Sequence, residues 1–267
     1  MLTTLDFSAD TAPETVAAKV LEAHPASKVI HIRGPKPEGD LRDYYWRFFE
    51  SVGKPMALAE DATLGDRDQQ RTGSYWMEVR YDPAVPDAYR HSANAQPLHT
   101  DGAYTSPDSV QVERSDRAVG YGFLGCVAMP ANGGATTFID AEDVVAVMRD
   151  EVPDLLARLS ATQMPHARSG DRKVAKAIDL GGEQPLVNWN YYCVDPDAGD
   201  EVHALREEYF QFLENSPGIA AHTGRVKLQP GDAVIWKDDY VLHGRDSFDP
   251  EGTSTRFLWK TSFLVDA

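Results

Sequence analysis

The chain has 267 residues, of which 42 are acidic and 26 are basic, so its formal net charge at pH 7 is −16. This acidity argues against a surface that binds nucleic-acid phosphates or anionic membranes, because both need clustered cations. There is no apolar run of about 18 residues and no basic, apolar leader, which predicts a cytoplasmic protein without a transmembrane helix or signal peptide. Cys126 and Cys193 are too few for a disulfide framework, and we expect both to be buried.

The first half of the chain predicts two helices followed by strands. Residues 13–24 and 41–53 have helical apolar spacing, and the second helix is expected to stop at Gly53. Strands are expected at 28–34, 75–82 and 120–129, with a turn at 130–134.

The second half predicts a mixture of strands and amphipathic helices. Residues 136–159 begin as a strand and become a helix, and 201–215 form a second amphipathic helix. Further strands are expected at 185–195, at 226–244 as two strands around a Pro-Gly turn, and at 256–265. The locally basic segment 165–176 is predicted to be a solvated loop, with a lid over an anionic substrate as the alternative.

Short strands with Gly and Pro turns predominate, and the elements do not alternate as in a doubly wound sheet. The pattern therefore predicts a mostly β fold with flanking helices, in the form of a jelly roll. No linker-like stretch divides the chain, so we predict one domain over 1–267, with a helical N-terminal part and an insertion around 140–225.

Residues His99-Thr100-Asp101 form the first motif that could bind a metal or take part in catalysis. On a strand, residues two apart face the same side, so this imidazole and carboxylate can converge on one metal ion. Such a triplet is expected about once by chance in a chain of this composition, so it needs support from other motifs.

A second histidine, His243, ends the apolar segment that follows the Pro-Gly-Asp turn. If the strands at 226–244 and 256–265 form a hairpin centred near Pro250, His243 lies opposite residue 257 or 258. Arg256 then lies near the histidine, and an arginine in an apolar strand is costly unless it meets an anion.

Together these residues fit one chemistry. Two imidazoles and one carboxylate form the facial triad of mononuclear non-haem Fe(II) oxygenases, which leaves three coordination positions open. A 2-oxo acid can occupy two of them and O2 the third, while Arg256 pairs with the distal carboxylate of that acid. Thr136, in the segment GGATTF at 133–138, can add a hydroxyl to the same carboxylate.

The ordered segments LHTDGAY, GGATTF and PGDAVIWKDDYVLHGRDSF…TRFLWK resemble the taurine dioxygenase/clavaminate synthase-like family of Fe(II)/2-oxoglutarate oxygenases. The resemblance implies a double-stranded β-helix, a distorted jelly roll. It assigns His99, Asp101 and His243 as metal ligands, and Thr136 and Arg256 as the 2-oxoglutarate-binding pair. Lys260 stands where the taurine enzyme has a second arginine for the sulfonate, which argues against taurine as the substrate.

The resemblance implies a dioxygenase that uses Fe(II), 2-oxoglutarate and O2 and releases succinate and CO2. We expect it to hydroxylate an unactivated C–H of a small polar metabolite, such as an amino acid or a derivative. Desaturation, cyclisation and epimerisation by the same cofactors remain open. Two more distant alternatives are a zinc- or manganese-dependent hydrolase or isomerase on a jelly roll, and a ligand-binding jelly roll without catalysis. No nucleic acid or membrane partner is expected, and a homo-oligomer is possible.

Candidate substrate contacts come from polar and aromatic residues near the motifs. They are Tyr75, Trp76, Arg80, Asn188, Asn190, Arg245 and Lys260. Tyr75, Trp76 and Arg80 could equally belong to an aromatic core with a surface arginine. Arg245 follows His243 by two residues and could hold a substrate carboxylate or brace a neighbouring loop.

Overall fold

The computed structural model describes residues 1–56, 75–84, 90–105, 118–168, 171–250 and 256–266. The strands in these ranges are β1 Leu2–Asp6, β2 Val29–Arg33, β3 Lys54–Met56, β4 Met77–Arg80, β5 Gln96–His99, β6 Ala118–Ala128, β7 Thr136–Asp140, β8 Gln163–Arg168, β9 Asp171–Lys176, β10 Ile178–Asp179, β11 Leu186–Val187, β12 Gly224–Val226, β13 Ala233–Lys237, β14 Val241–Arg245 and β15 Phe257–Asp266. The helices are α1 Pro13–Ala23, α2 Leu41–Val52, α3 Ala141–Glu151, α4 Pro153–Ala161, α5 Asp200–Asn215 and α6 Pro217–His222. Two short 3₁₀ turns span Asp101–Ala103 and Tyr191–Cys193.

Two sheets organise the described residues. The large sheet has the strand order β1-β2-β13-β6-β15-β3, and β4 also pairs with β15. The small sheet has the order β12-β7-β14-β5. Apart from the parallel pair of β1 and β2, the neighbouring strands in both sheets are antiparallel. This is the mostly β, jelly-roll architecture that the sequence predicts.

An apolar core lies between the two sheets. Val234, Trp236 and Leu258 from the large sheet cluster there with Phe138 and Val241 from the small sheet. Because side chains alternate along a strand, the residues two and four positions away on the same strands face this interior as well. The space between the sheets is therefore where polar residues of both sheets can meet.

The helices cover the outer faces of the sheets. Helices α1 and α2 pack their aromatic and aliphatic faces on the large sheet, with Tyr45, Phe48 and Phe49 fully buried. Between β7 and β12 the chain forms helices α3 to α6 and the hairpins β8–β9 and β10–β11. Their apolar side chains build a separate core cluster. Both cysteines are buried, as expected. No helix among the described residues is long and apolar enough to cross a membrane.

The prediction that the segments carrying His243 and Arg256 pair as a hairpin is wrong. The chain changes sheets at 238–240: β13 belongs to the large sheet, and β14, which carries His243, belongs to the small one. Tyr240 N–H donates to the Lys237 carbonyl at 3.1 Å and closes this turn. Consecutive aspartates disfavour strand and favour turn, which gives the physical reason for the switch. His243 therefore faces His99 on one side and Phe138 on the other.

Three other local predictions also need correction. Residues 165–176 are mostly the hairpin β8–β9 rather than a solvated loop, with Met164 and His166 buried on one face. The expected strand 185–195 is extended only briefly, because the Asn190 side chain accepts from the Tyr192 N–H and caps a 3₁₀ turn. The helix expected up to residue 159 is two helices, since Pro153 cannot continue the first.

Candidate active site

Two neighbouring strands bring the three proposed metal ligands together. His99 on β5 lies directly opposite His243 on β14. Asp101 follows β5 in a 3₁₀ turn, one of the two conformations that Pro97 and Gly102 favour, and its carboxylate turns toward both imidazoles. The Nε2 atoms lie 3.7 Å (His99) and 3.6 Å (His243) from the nearer Asp101 oxygens. Ligand atoms of all three residues lie within 4.8 Å of one another, a spacing that suits one metal ion.

Both imidazoles are prepared to act as neutral ligands. The Nδ1–H of His99 donates to the Pro97 carbonyl at 2.8 Å, which leaves the Nε2 lone pair for a metal. Burial lowers the pKa of His99 despite the nearby Asp101 carboxylate. Burial and His99 together hold the pKa of His243 well below its usual range. Metal ligation requires the neutral imidazole, so these shifts favour it.

Asp101 offers two oxygens with different surroundings. Oδ1 accepts a hydrogen bond from Lys260 Nζ at 2.5 Å. Oδ2 is buried and has no hydrogen-bond partner. Burial would raise the pKa of Asp101, but Lys260 and the two imidazoles outweigh it and hold that pKa well below its ordinary value. Asp101 is therefore a carboxylate, with one buried oxygen available to a cation.

Asp238 supports the ligand set and was not assigned from the sequence. Its carboxylate accepts from the backbone N–H groups of Asp101 and Gly102 at 3.1 and 2.8 Å and from the Trp236 indole at 3.1 Å. One of its oxygens also faces His243 Nδ1 at 3.7 Å. Burial and the Asp101 charge raise the pKa of Asp238 to about 7. The sequence signal was an acid five residues before His243, but the sequence alone could not distinguish Asp238 from the adjacent Asp239.

Thr136 and Arg256 are buried polar residues, and Arg256 meets the chain two residues before Thr136. The Thr136 hydroxyl is buried without a hydrogen-bond partner. Arg256 is 2% exposed, and its Nε–H donates to the Gly134 carbonyl at 3.1 Å. No carboxylate in the described part of the chain pairs with it, and burial and the neighbouring Arg245 hold its pKa well below the usual range. An unpartnered hydroxyl and an unpaired guanidinium fit a bound carboxylate.

The backbone of the GGATTF segment accommodates the Arg256 side chain. Gly134 has a φ of +72°, in the left-handed region that other residues rarely adopt. A Cβ there would lie 3.3 Å from Arg256 Cδ. The glycine therefore both allows its carbonyl to meet Arg256 and leaves room for that side chain.

Arg245 braces a loop. It is buried on β14, opposite Thr136 on β7. Its Nη2 donates to the carbonyls of Ser92 and Asn94 at 2.9 and 2.5 Å. Of the two roles that the sequence left open, these contacts favour the bracing of a neighbouring loop.

The aromatic candidates before β5 lie in the core or at the surface. Trp76 packs among the aromatic rings beneath α2, with its ring centroid 5.8 Å from Phe49. Tyr75 is 38% exposed and contacts the Trp46 ring edge-on. Arg80 Nε pairs with Glu78 at 3.2 Å. The structure does not bring these three to the proposed ligands.

The 186–194 segment and the β8–β9 hairpin border the ligand turn. Backbone bonds join Thr100 to Trp189, which places Asn188 and Asn190 beside the His-Thr-Asp motif. Both asparagines are buried, and the Asn188 amide lies 3.4 Å from His166 Nδ1. From the hairpin, Lys173 Nζ reaches the Gly102 carbonyl at 3.5 Å, and Arg168 Nη1 lies 3.9 Å from Cys193 Sγ.

Comparison with known proteins places these features in a family. Residues 3–261 match the family described as "Taurine catabolism dioxygenase TauD, TfdA family". A uridine-5'-phosphate dioxygenase from Streptomyces sp is 24% identical over 230 residues, which are 77% of this chain and 76% of that protein.

Solved structures share the fold over nearly the whole chain. An asparagine oxygenase in complex with Fe(II), 2S,3S-3-hydroxyasparagine and succinate superposes with a TM-score of 0.68 at 16% identity, covering 99% of this chain and 93% of that one. A variant of the non-haem iron oxygenase OrfP, in complex with (3S)-hydroxy-L-Arg, gives a TM-score of 0.63 at 13% identity over 95% of this chain and 81% of that one.

These matches confirm the predicted double-stranded β-helix. They also confirm the predicted enzyme class, a 2-oxoglutarate-dependent non-haem iron dioxygenase, with Fe(II) and 2-oxoglutarate as its cofactor and co-substrate. The match over residues 3–261 and the convergence of His99, Asp101 and His243 agree: the chain belongs to the TauD/TfdA dioxygenase family.

Proposed function

We propose that His99, Asp101 and His243 hold Fe(II) and that the enzyme hydroxylates a C–H of a small polar metabolite, such as an amino acid or a derivative. The observation that carries the proposal is the convergence of these three side chains. Arg256, which is buried without an ion pair among the described residues, supports it. The donor set of two imidazoles and one carboxylate suits Fe(II) and leaves three positions open.

Arg256 and Thr136 hold the co-substrate in this proposal. The guanidinium pairs with the distal carboxylate of 2-oxoglutarate, and the Thr136 hydroxyl donates to the same group. This binding gives both buried groups the partner that the protein itself does not supply. Bound Fe(II) and 2-oxoglutarate would supply the oxidation of the substrate C–H by O2, with release of succinate and CO2.

The protein contributes rigid ligands and a dry environment. The Trp236 ring lies with its centroid 4.5 Å from that of His243 and shields this ligand from one side. Asp238 fixes the backbone of the 3₁₀ turn that carries Asp101. Held in this way, the ligands need little rearrangement when the co-substrate and the substrate bind.

Amino-acid-like substrates are supported by what related structures hold. Two structural neighbours were solved with hydroxylated amino acids, hydroxyasparagine and hydroxyarginine. The Asn188–Asn190 segment and the cations Lys173 and Arg168 lie next to the ligand turn, where polar and charged groups of such a substrate can be recognised. We keep uridine 5'-phosphate in the substrate panel, because the curated relative is named for it.

Anaerobic optical titration tests the cofactor proposal. Fe(II) and then 2-oxoglutarate are added to the purified protein, and we expect a visible metal-to-ligand charge-transfer band. The band should disappear in His99→Ala and Arg256→Ala. Succinate release with a panel of amino acids and related acids then identifies the substrate. Product analysis separates hydroxylation from desaturation, cyclisation or epimerisation.

Absence of the band in well-folded protein would refute the assignment of these five residues. The cytoplasmic location and a possible homo-oligomer remain predictions, which fractionation and light scattering can check.

A further inference from the structure

Lys260 makes the closest contact to the proposed ligand set. Its Nζ lies 2.5 Å from Asp101 Oδ1, and the two side chains are only 18% and 22% exposed. Such a partly buried, charge-assisted hydrogen bond is stronger than an exposed ion pair, because water competes with it less.

The position of Lys260 in the sheet makes this contact rigid. It lies on β15 between β4 and β6, opposite Met77 on one side and Leu124 on the other. Its side chain points to the same side of β15 as Leu258 and Arg256, toward the space between the sheets. The lysine therefore connects the large sheet to a ligand that follows a strand of the small sheet.

The two oxygens of Asp101 are not equivalent as a result. Each oxygen lies near one imidazole, Oδ1 at 3.7 Å from His99 Nε2 and Oδ2 at 3.6 Å from His243 Nε2. Oδ1 is engaged by Lys260, whereas Oδ2 is buried and has no hydrogen-bond partner among the described residues. A carboxylate can bind a metal through one oxygen or through both. An ammonium group that holds one oxygen opposes binding through both.

We propose that Lys260 is a positioning residue that commits Asp101 to bind the metal through Oδ2 alone. The inference rests on the proposed function. Binding through both oxygens would take up a fourth coordination position, and 2-oxoglutarate and O2 together need three. Asp238 fixes the backbone of Asp101 while Lys260 engages Oδ1, so both the backbone and the carboxylate of this ligand are held.

The test compares Lys260→Met and Lys260→Arg with wild type under anaerobic conditions. Fe(II) affinity is measured by competition with a chelator, and the visible band is recorded after addition of 2-oxoglutarate. Without Lys260, Asp101 can bind through both oxygens and take up a fourth coordination position, so we expect Lys260→Met to retain Fe(II) but to bind 2-oxoglutarate at least about 10-fold more weakly, with a shifted band. Lys260→Arg keeps a cationic donor and should recover most of the 2-oxoglutarate affinity. Lys54→Met, on the adjacent strand β3, is the matched control and should match wild type.

The outcomes separate this inference from the proposed function. A wild-type protein without the band refutes the proposed function and the inference with it. A wild-type band together with unchanged 2-oxoglutarate affinity and band position in Lys260→Met refutes the inference alone. In that case, a raised substrate KM would assign Lys260 to the substrate. Circular dichroism verifies folding, and Lys260→Gln, which keeps a donor without the charge, decides the question if the methionine variant does not fold.

Discussion

Replacing Arg256 with methionine should stabilise the free protein and at the same time abolish 2-oxoglutarate binding. Arg256 is 2% exposed, donates one hydrogen bond to the Gly134 carbonyl and lies near a second buried arginine, Arg245. A guanidinium in that position is held away from water without a carboxylate to compensate. Methionine replaces the aliphatic part of the arginine side chain and has no charge to desolvate.

The magnitude follows from opposing contributions. Burial of an unpaired ion costs several kcal/mol, and replacing buried ionic groups with apolar ones of similar volume often stabilises by about 1–4 kcal/mol. The lost hydrogen bond to Gly134 offsets about 1.5–3 kcal/mol of that gain. Because Arg256 has no carboxylate partner among the described residues, the upper end of that range, about 4 kcal/mol, applies. The net gain is then about 1–2.5 kcal/mol, or a rise in Tm of about 2–10 °C for a protein of this size. In wild type, 2-oxoglutarate at 100 times its Kd should instead raise the free energy of unfolding by about 2.7 kcal/mol.

Thermal unfolding of both proteins, with and without 2-oxoglutarate and metal, measures both effects. The control is Arg225→Met, because Arg225 is exposed on β12 and pairs with Asp246 at 3.0 Å. We expect its Tm to change by less than about 1 °C, since exposed ion pairs contribute little. A lower Tm for Arg256→Met in the absence of 2-oxoglutarate would contradict the reasoning about an uncompensated charge. A persistent ligand-induced rise in Tm would show that the co-substrate binds elsewhere.

Three further predictions concern residues around the site. Thr136→Val should leave stability unchanged or slightly higher, because the hydroxyl has no partner in the free protein, but should weaken 2-oxoglutarate binding about 10- to 100-fold in the optical titration. Gly122→Ala would place a Cβ 2.2 Å from the Trp236 indole, which packs against His243. We expect the free energy of unfolding, measured with denaturant, to fall by about 1–3 kcal/mol and Fe(II) to bind more weakly. Burial lowers the pKa of His166 to about 4, so below pH 6.5 the histidine takes up a proton when the protein unfolds. The free energy of unfolding therefore decreases as the pH is lowered. Between pH 7 and pH 5 the free energy of unfolding of His166→Gln should therefore fall by about 2 kcal/mol less than that of wild type, and equal decreases would refute this.

The sequence predicts the chemistry of the site better than its geometry. His99, Asp101, His243, Thr136 and Arg256 belong to short motifs whose residue types suit metal and carboxylate binding. The structure brings the first three together and joins Arg256 to the Gly134 carbonyl, two residues before Thr136. Local patterns also predict α1, α2 and most of the strands, because apolar periodicity and Gly or Pro turns are local signals.

Features that depend on long-range pairing were not predictable. The switch from β13 to β14 separates two strands that read as one apolar segment, and only the pairing partners reveal it. The contacts of Lys260 with Asp101 and of Asp238 with the Asp101 backbone join residues more than 130 positions apart. The β8–β9 hairpin was obscured by its basic composition, although its alternating burial is typical of a strand.

The placement of β5 at the edge of the small sheet has a consequence for how the enzyme is made. In the described part of the chain, β14 is the sole strand partner of β5, and 144 positions separate His99 from His243. At about 5–20 residues per second, a ribosome needs roughly 7–30 s to make the partner strand after it has made the first ligand. During that interval β5 is an unpaired edge, so the nascent chain depends on its early-formed helices or on chaperones to avoid misassociation. Iron can enter a complete ligand set only after β14 has docked, late in the life of the nascent chain.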